Sequence, residues 1–144
     1  MKNGDLVAGI LREWISKAEN DLLAATHTLT LGQKCPTGVV CFHAQQCAEK
    51  YLKALLVSRG IDVPKTHDLE LLIVRLGNET RLEVSPDDVT MLTQFAIGPR
   101  YPGSGEISRA TARRAVAAAR RIRKAVNSLL KSSRSTSSAR SRRA

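Results

Sequence analysis

The sequence predicts an all-α protein, an up-and-down helical bundle of about five helices. Apolar residues recur at steps of three and four along most of the chain, and no segment alternates convincingly at period two. Hydrophobic residues make up 42% of the chain and aromatics only 3%, so the core is built from Leu, Ala, Val and Ile, which suits helix packed on helix. Glycine, proline and serine divide the 144 residues into stretches of helical length. That length suits one domain, and no internal repeat is present.

The first helix is expected from about Asp5 to Leu31. Val7, Leu11, Trp14, Ala18, Leu22, Ala25 and Leu29 form its apolar stripe, and Asp21 is a charge on that same stripe. Gly32 ends it, and Cys35-Pro36-Thr37-Gly38 is a connector. The second helix follows to about Arg59, with Gly60 as a C-terminal stop. Pro64 makes Ile61 to Thr66 an extended turn. Thr66 or His67 is the expected cap of a third helix whose buried side is Leu69, Leu72, Ile73 and Leu76. Ser85-Pro86-Asp87-Asp88 starts a fourth, with serine as cap and proline as first helical residue. Gly98-Pro99 cuts it, and Gly98 to Gly105 can be neither helix nor inner strand. The fifth is expected from about Ser108 to Lys131. Its apolar face is Ala112, Ala115, Ala119, Ile122, Val126 and Leu129, and Arg113, Arg114, Arg120, Arg121 and Lys124 lie opposite. The expected division is a helical domain over 1–131 and a disordered Ser/Arg tail over 132–144.

The formal charge of +10 is unevenly spread. Twelve of the 23 Lys and Arg follow Glu106, and no acidic residue does. The preceding body is near neutral, with 11 basic groups against 13 acidic. Phosphate contact through Arg113, Arg114, Arg120, Arg121, Lys124 and the tail is one reading, and a solubilising face is the other. No apolar run is long enough to cross a bilayer, and the N-terminus lacks a signal-peptide pattern, so a cytoplasmic protein with no membrane partner is expected. Three cysteines without a CxxC pair suggest free thiols in a reducing compartment. On a helix Cys41 and His43 point about 200° apart, so Cys35, Cys41, His43 and Cys47 do not converge as metal ligands. Neither a metal nor another cofactor is expected.

Three polar groups stand on faces that should be apolar. Asp21 breaks the stripe of the first helix. Gln45 and Glu49 sit at the edge of the apolar arc of the second, while Gln46, Lys50 and Lys53 are read as facing away. Buried carboxylates and amides are costly without partners. These groups therefore either pair inside the monomer, with His67, Lys53 or Arg100 as the base, or line a cleft or a subunit seam.

Trp14 with A-E-N-D-L-L-A-A, then C-F-H-A-Q-Q-C-A-E-K-Y-L-K-A-L-L, then P-K-T-H-D-L and R-Y-P resembles the HEPN family (higher eukaryotes and prokaryotes nucleotide-binding). The match runs in order from about Leu6 to Leu130. The resemblance implies a small helical bundle, usually a homodimer, and a minimal nucleotidyltransferase as partner in a nucleotide-handling or toxin–antitoxin-like module. Many members are metal-independent RNases with an Arg-x(4–6)-His motif. Here Gly105, Glu106 and Ile107 occupy the places where that histidine would follow Arg100. The expectation therefore leans away from an enzyme, toward binding of nucleotide or partner through a polar cleft of Asp21, Gln45, Glu49, Lys53, His67, Arg100 and Tyr101. One alternative is an RNase with an atypical site, for which Arg100 and His67 are the catalytic candidates. Another is an RNA- or DNA-binding protein acting through the basic helix and tail.

Overall fold

The glycine stops and serine starts of the sequence fall at helix ends in the computed structural model, which describes residues 3–97, 102–103 and 105–143, with side chains through residue 132. Five α-helices and no strand occur among the described residues: α1 (Asn3–Leu29), α2 (Thr37–Ser58), α3 (Leu69–Leu76), α4 (Pro86–Thr93) and α5 (Arg109–Arg143). A 3-10 turn, Gly32–Lys34, joins α1 to α2.

The helix ends follow from local chemistry. At the close of α2 the Ile61 amide donates to the Leu56 carbonyl at 3.0 Å and the Gly60 amide to Val57 at 3.1 Å, the two bonds of a Schellman stop. That stop holds Gly60 at φ 71°, a left-handed conformation suited to glycine. The cap of α3 is Asp68 rather than Thr66 or His67. Its carboxylate accepts from the Glu70 amide at 3.0 Å, while the Thr66 hydroxyl accepts from the Asp68 amide at 3.1 Å. Ser85 caps α4 as expected, but α4 closes at Thr93, and Phe95 and Ala96 are buried from the turn beyond it. Ser108 accepts from the Thr111 amide at 3.1 Å at the start of α5. The α5 ladder runs on through Arg143, past Lys131 where the sequence reading ends it. A Ser/Arg run offers no apolar face to bury, so only the helical ladder itself carries that extension.

α2 lies at the centre. Thirteen of its 22 residues are buried, far more than one face supplies, so it is covered on most sides. α1 packs along it antiparallel, α5 covers a second side, and α3 and α4 add smaller contacts. This arrangement overturns the reading that Lys53 faces solvent: Lys53 is only 7% exposed. The reverse holds for the start of α1. Its buried residues begin at Ala18, while Leu6, Val7 and Ile10 stay exposed, so the first part of its apolar stripe is left uncovered. No helix among the described residues is long and apolar enough to cross a membrane.

Candidate functional site

The polar residues that break the apolar stripes meet along the seam between α1 and α2. Asp21 of α1 accepts a bond from His43 Nδ1 at 2.8 Å and another from the Lys50 ammonium. His43 and Lys50 are seven residues apart and therefore on one edge of α2. Lys50 also donates to Gln46 Oε1 at 3.4 Å, and Gln46 Nε2 donates to Gln45 Oε1 at 2.7 Å. Gln45 Nε2 then donates to Glu49 Oε1 at 3.2 Å and to the His67 carbonyl at 3.1 Å.

Glu49 is the second centre of the chain of bonds. It accepts from His67 Nδ1 at 2.8 Å and from Lys53 Nζ at 3.1 Å. The Lys53 ammonium in turn lies 5.7 Å from the centre of the Trp14 ring, within cation–π range. Two buried carboxylates thus each hold one lysine and one histidine, and the Gln45–Gln46 pair joins them. Every buried side-chain polar atom among the described residues has a hydrogen-bond partner, which removes the usual penalty for such a network. The Glu49 carboxylate fixes the His67 tautomer through Nδ1, leaving Nε2 toward solvent on a side chain that is 60% exposed. His43 emerges less, at 29%.

Five of the seven predicted cleft residues are described, and Asp21, Gln45, Glu49, Lys53 and His67 do come together. Arg100 and Tyr101 lie outside the described residues. Sequence reading missed His43, Lys50 and Gln46 as members. The signal was available: they occupy the α2 edge that faces the misplaced Asp21.

A second cluster joins α1, α2 and α5. The Tyr51 hydroxyl donates to Glu19, and Arg123 Nε donates to Glu19 at 2.6 Å and to the Tyr51 oxygen at 3.3 Å. Partial burial raises the Glu19 carboxyl, but the bonds from Tyr51 and Arg123 outweigh it and hold its pKa below the ordinary value. Burial, then the bond to Glu19, pushes the Tyr51 hydroxyl up to about 12. Buried Cys47 beside this cluster is pushed up to about 12 by burial and then by Glu19 and Asp21. Cys41 is pushed up to about 11, chiefly by burial. Both thiols are therefore protonated near neutral pH and are poor nucleophiles. Cys35, Cys41 and Cys47 are all free and buried, and no group of three or more potential metal ligands occurs among the described residues.

On α5, Arg113, Arg114, Arg120 and Lys124 are exposed as expected. Arg121 is exposed too and forks onto Asp88, with Nε to Oδ2 at 2.7 Å and Nη2 to Oδ1 at 2.9 Å.

The HEPN domain model matches residues 11–129, which span the seam and all five helices. The chain belongs to the HEPN domain family. Two solved structures are similar along most of their length. TT1696 from Thermus thermophilus is 29% identical, with a TM-score of 0.69, over 82% of this chain and 96% of that one. ST0689, an archaeal HEPN homologue, is 28% identical, with a TM-score of 0.62, over 83% of this chain and 96% of that one. No curated protein matches the chain. This HEPN chain therefore shares an all-α fold with stand-alone prokaryotic relatives, and its Q-Q-C-A-E-K block forms the buried wall of the α1–α2 seam.

Proposed function

We propose that this HEPN protein is a binding subunit, the non-transferase half of a module with a minimal nucleotidyltransferase, and that it meets nucleotide or partner at the α1–α2 seam. One observation carries the reading: the buried ionic network opens beside an uncovered apolar face. Ile10 and Trp14 line a cavity of about 280 Å³ with Glu13 and Lys17. Trp14 is the residue beneath Lys53, and exposed Leu6 and Val7 continue the same helix outward. An apolar patch with a charged, preorganised border suits protein association, including pairing with a second copy of the chain. Saturated carboxylates and protonated thiols suit binding better than covalent chemistry.

The test is co-purification of the untagged chain with a tagged nucleotidyltransferase encoded beside it, with light scattering of the isolated protein over a concentration series. Association in at least one assay, weakened by Ile10→Asp, is expected. A chain that stays monomeric and does not co-purify overturns the reading.

The RNase reading is favoured by the orientation of His67, whose outward Nε2 could take a proton from a ribose hydroxyl. It predicts metal-independent RNA cleavage by the purified protein, lost in His67→Ala. Absence of cleavage removes it.

A further inference from the structure

We propose that α5 and the chain segment before α4 bind single-stranded nucleic acid, with phosphates along a row of α5 cations and a base in the groove beside it. This surface is separate from the α1–α2 seam and does not rest on the function proposed for that seam.

The row consists of Arg113, Arg120, Lys124 and Lys131. Their spacing of seven, four and seven residues keeps them within about 40° of one another on the helix and extends them over about 27 Å. All four are exposed, and none has an ion-pair partner among the described residues. Two neighbouring acids are engaged on the flanks, and a third, Glu83, lines the groove beside Lys124. Asp88 takes Arg121 on one side and Glu19 takes Arg123 on the other. With no acidic residue after Glu106, no acid on α5 itself offsets the row, which lies along one face of a rigid element.

A groove of about 370 Å³ opens along one side of the row and shares Lys124 with it. Arg81 and Glu83 form one wall, and Ala125 and Leu129 give an apolar surface. The guanidinium plane of Arg81 and that apolar surface can sandwich the flat face of an unpaired base, as arginine and aliphatic side chains do where aromatics are absent. A duplex buries its base faces and offers nothing to the groove. The arrangement therefore selects single strands with little sequence preference. It also places the contact on the part of α5 before residue 132, not only on its Ser/Arg end.

The experiment is fluorescence polarisation of a labelled 20-mer oligouridylate and of a matched RNA duplex against the full chain at several salt concentrations. Single strands lose about 0.7 in log–log slope per phosphate contact, so four row cations predict a slope of about −3 for the strand. Arg120→Gln with Lys124→Gln should roughly halve the slope, and Arg81→Ala should weaken the strand but not the duplex. Removing residues 132–144 should leave the effect of both variants in place. The proposal is overturned by absence of binding at low salt, by equal affinity for duplex and strand, by an unchanged slope in the double variant, or by loss of all binding on removal of the tail. All three substituted residues are exposed, and circular dichroism checks that each variant keeps its helices.

Discussion

Glu49 illustrates how much one buried carboxylate organises. It is 3% exposed and has Gln45, Lys53 and His67 as partners. Truncating one member of a buried ion pair leaves the other uncompensated, so Glu49→Ala should destabilise the fold by about 3–5 kcal/mol in chemical denaturation. Replacing Glu49 and Lys53 together by leucine should cost far less, because both desolvation penalties disappear. A cost for the pair equal to that for Glu49→Ala would show that the charges themselves hold the seam. At this scale the sequence was informative where a polar residue interrupted an apolar stripe, as at Asp21, Gln45 and Glu49. It was silent on the partnership of Glu19, Tyr51 and Arg123. Those residues come from three helices, and no local period relates positions 104 apart.

Among the elements, α2 departs most from expectation. A helical wheel assumes one buried face, so Lys50 and Lys53 read as solvent-directed. Because α1, α5 and α3 all contact α2, these lysines instead turn their ammonium groups onto carboxylates. The starts and stops were more legible, since caps are local: Ser85 and Gly60 act where the sequence places them. At Gly60 a side chain would meet nothing within 4 Å, so only the backbone conformation resists substitution. Gly60→Ala should therefore destabilise by about 1–2 kcal/mol. Gly60→Asn should cost less, because asparagine tolerates the left-handed region. Thermal melts of the two variants test the order, and equal losses would contradict it.

For the whole molecule, the shifted groups set the pH range of stability. Cys47 and Tyr51 have folded pKa values pushed up to about 12, and Cys41 to about 11. Their protonated forms are favoured by the fold, so their contribution is complete below the unfolded thiol value of 9.0 and is lost as pH rises toward about 12. Glu19 acts in the opposite direction. Its lowered folded pKa gives stability above the unfolded value of 4.5, lost as pH falls, and partial exposure keeps that contribution small. Denaturant midpoints measured across alkaline pH should fall steeply in the wild type and less steeply in Cys47→Ala. An identical profile would remove Cys47 as a contributor. The bundle as a class was readable from periodicity and composition, whereas the uncovered start of α1 was not, because its apolar stripe runs unchanged from Ala18 back to Val7. The bridge from Arg123 to Glu19 and Tyr51 also has a consequence for synthesis on the ribosome. The α1–α2 hairpin and its acidic half of the bridge leave the exit tunnel first, and the closing cation arrives only with α5. Until then the nascent chain displays the flank of α2 that α5 will cover, and it is during this interval that a chaperone would have something to hold.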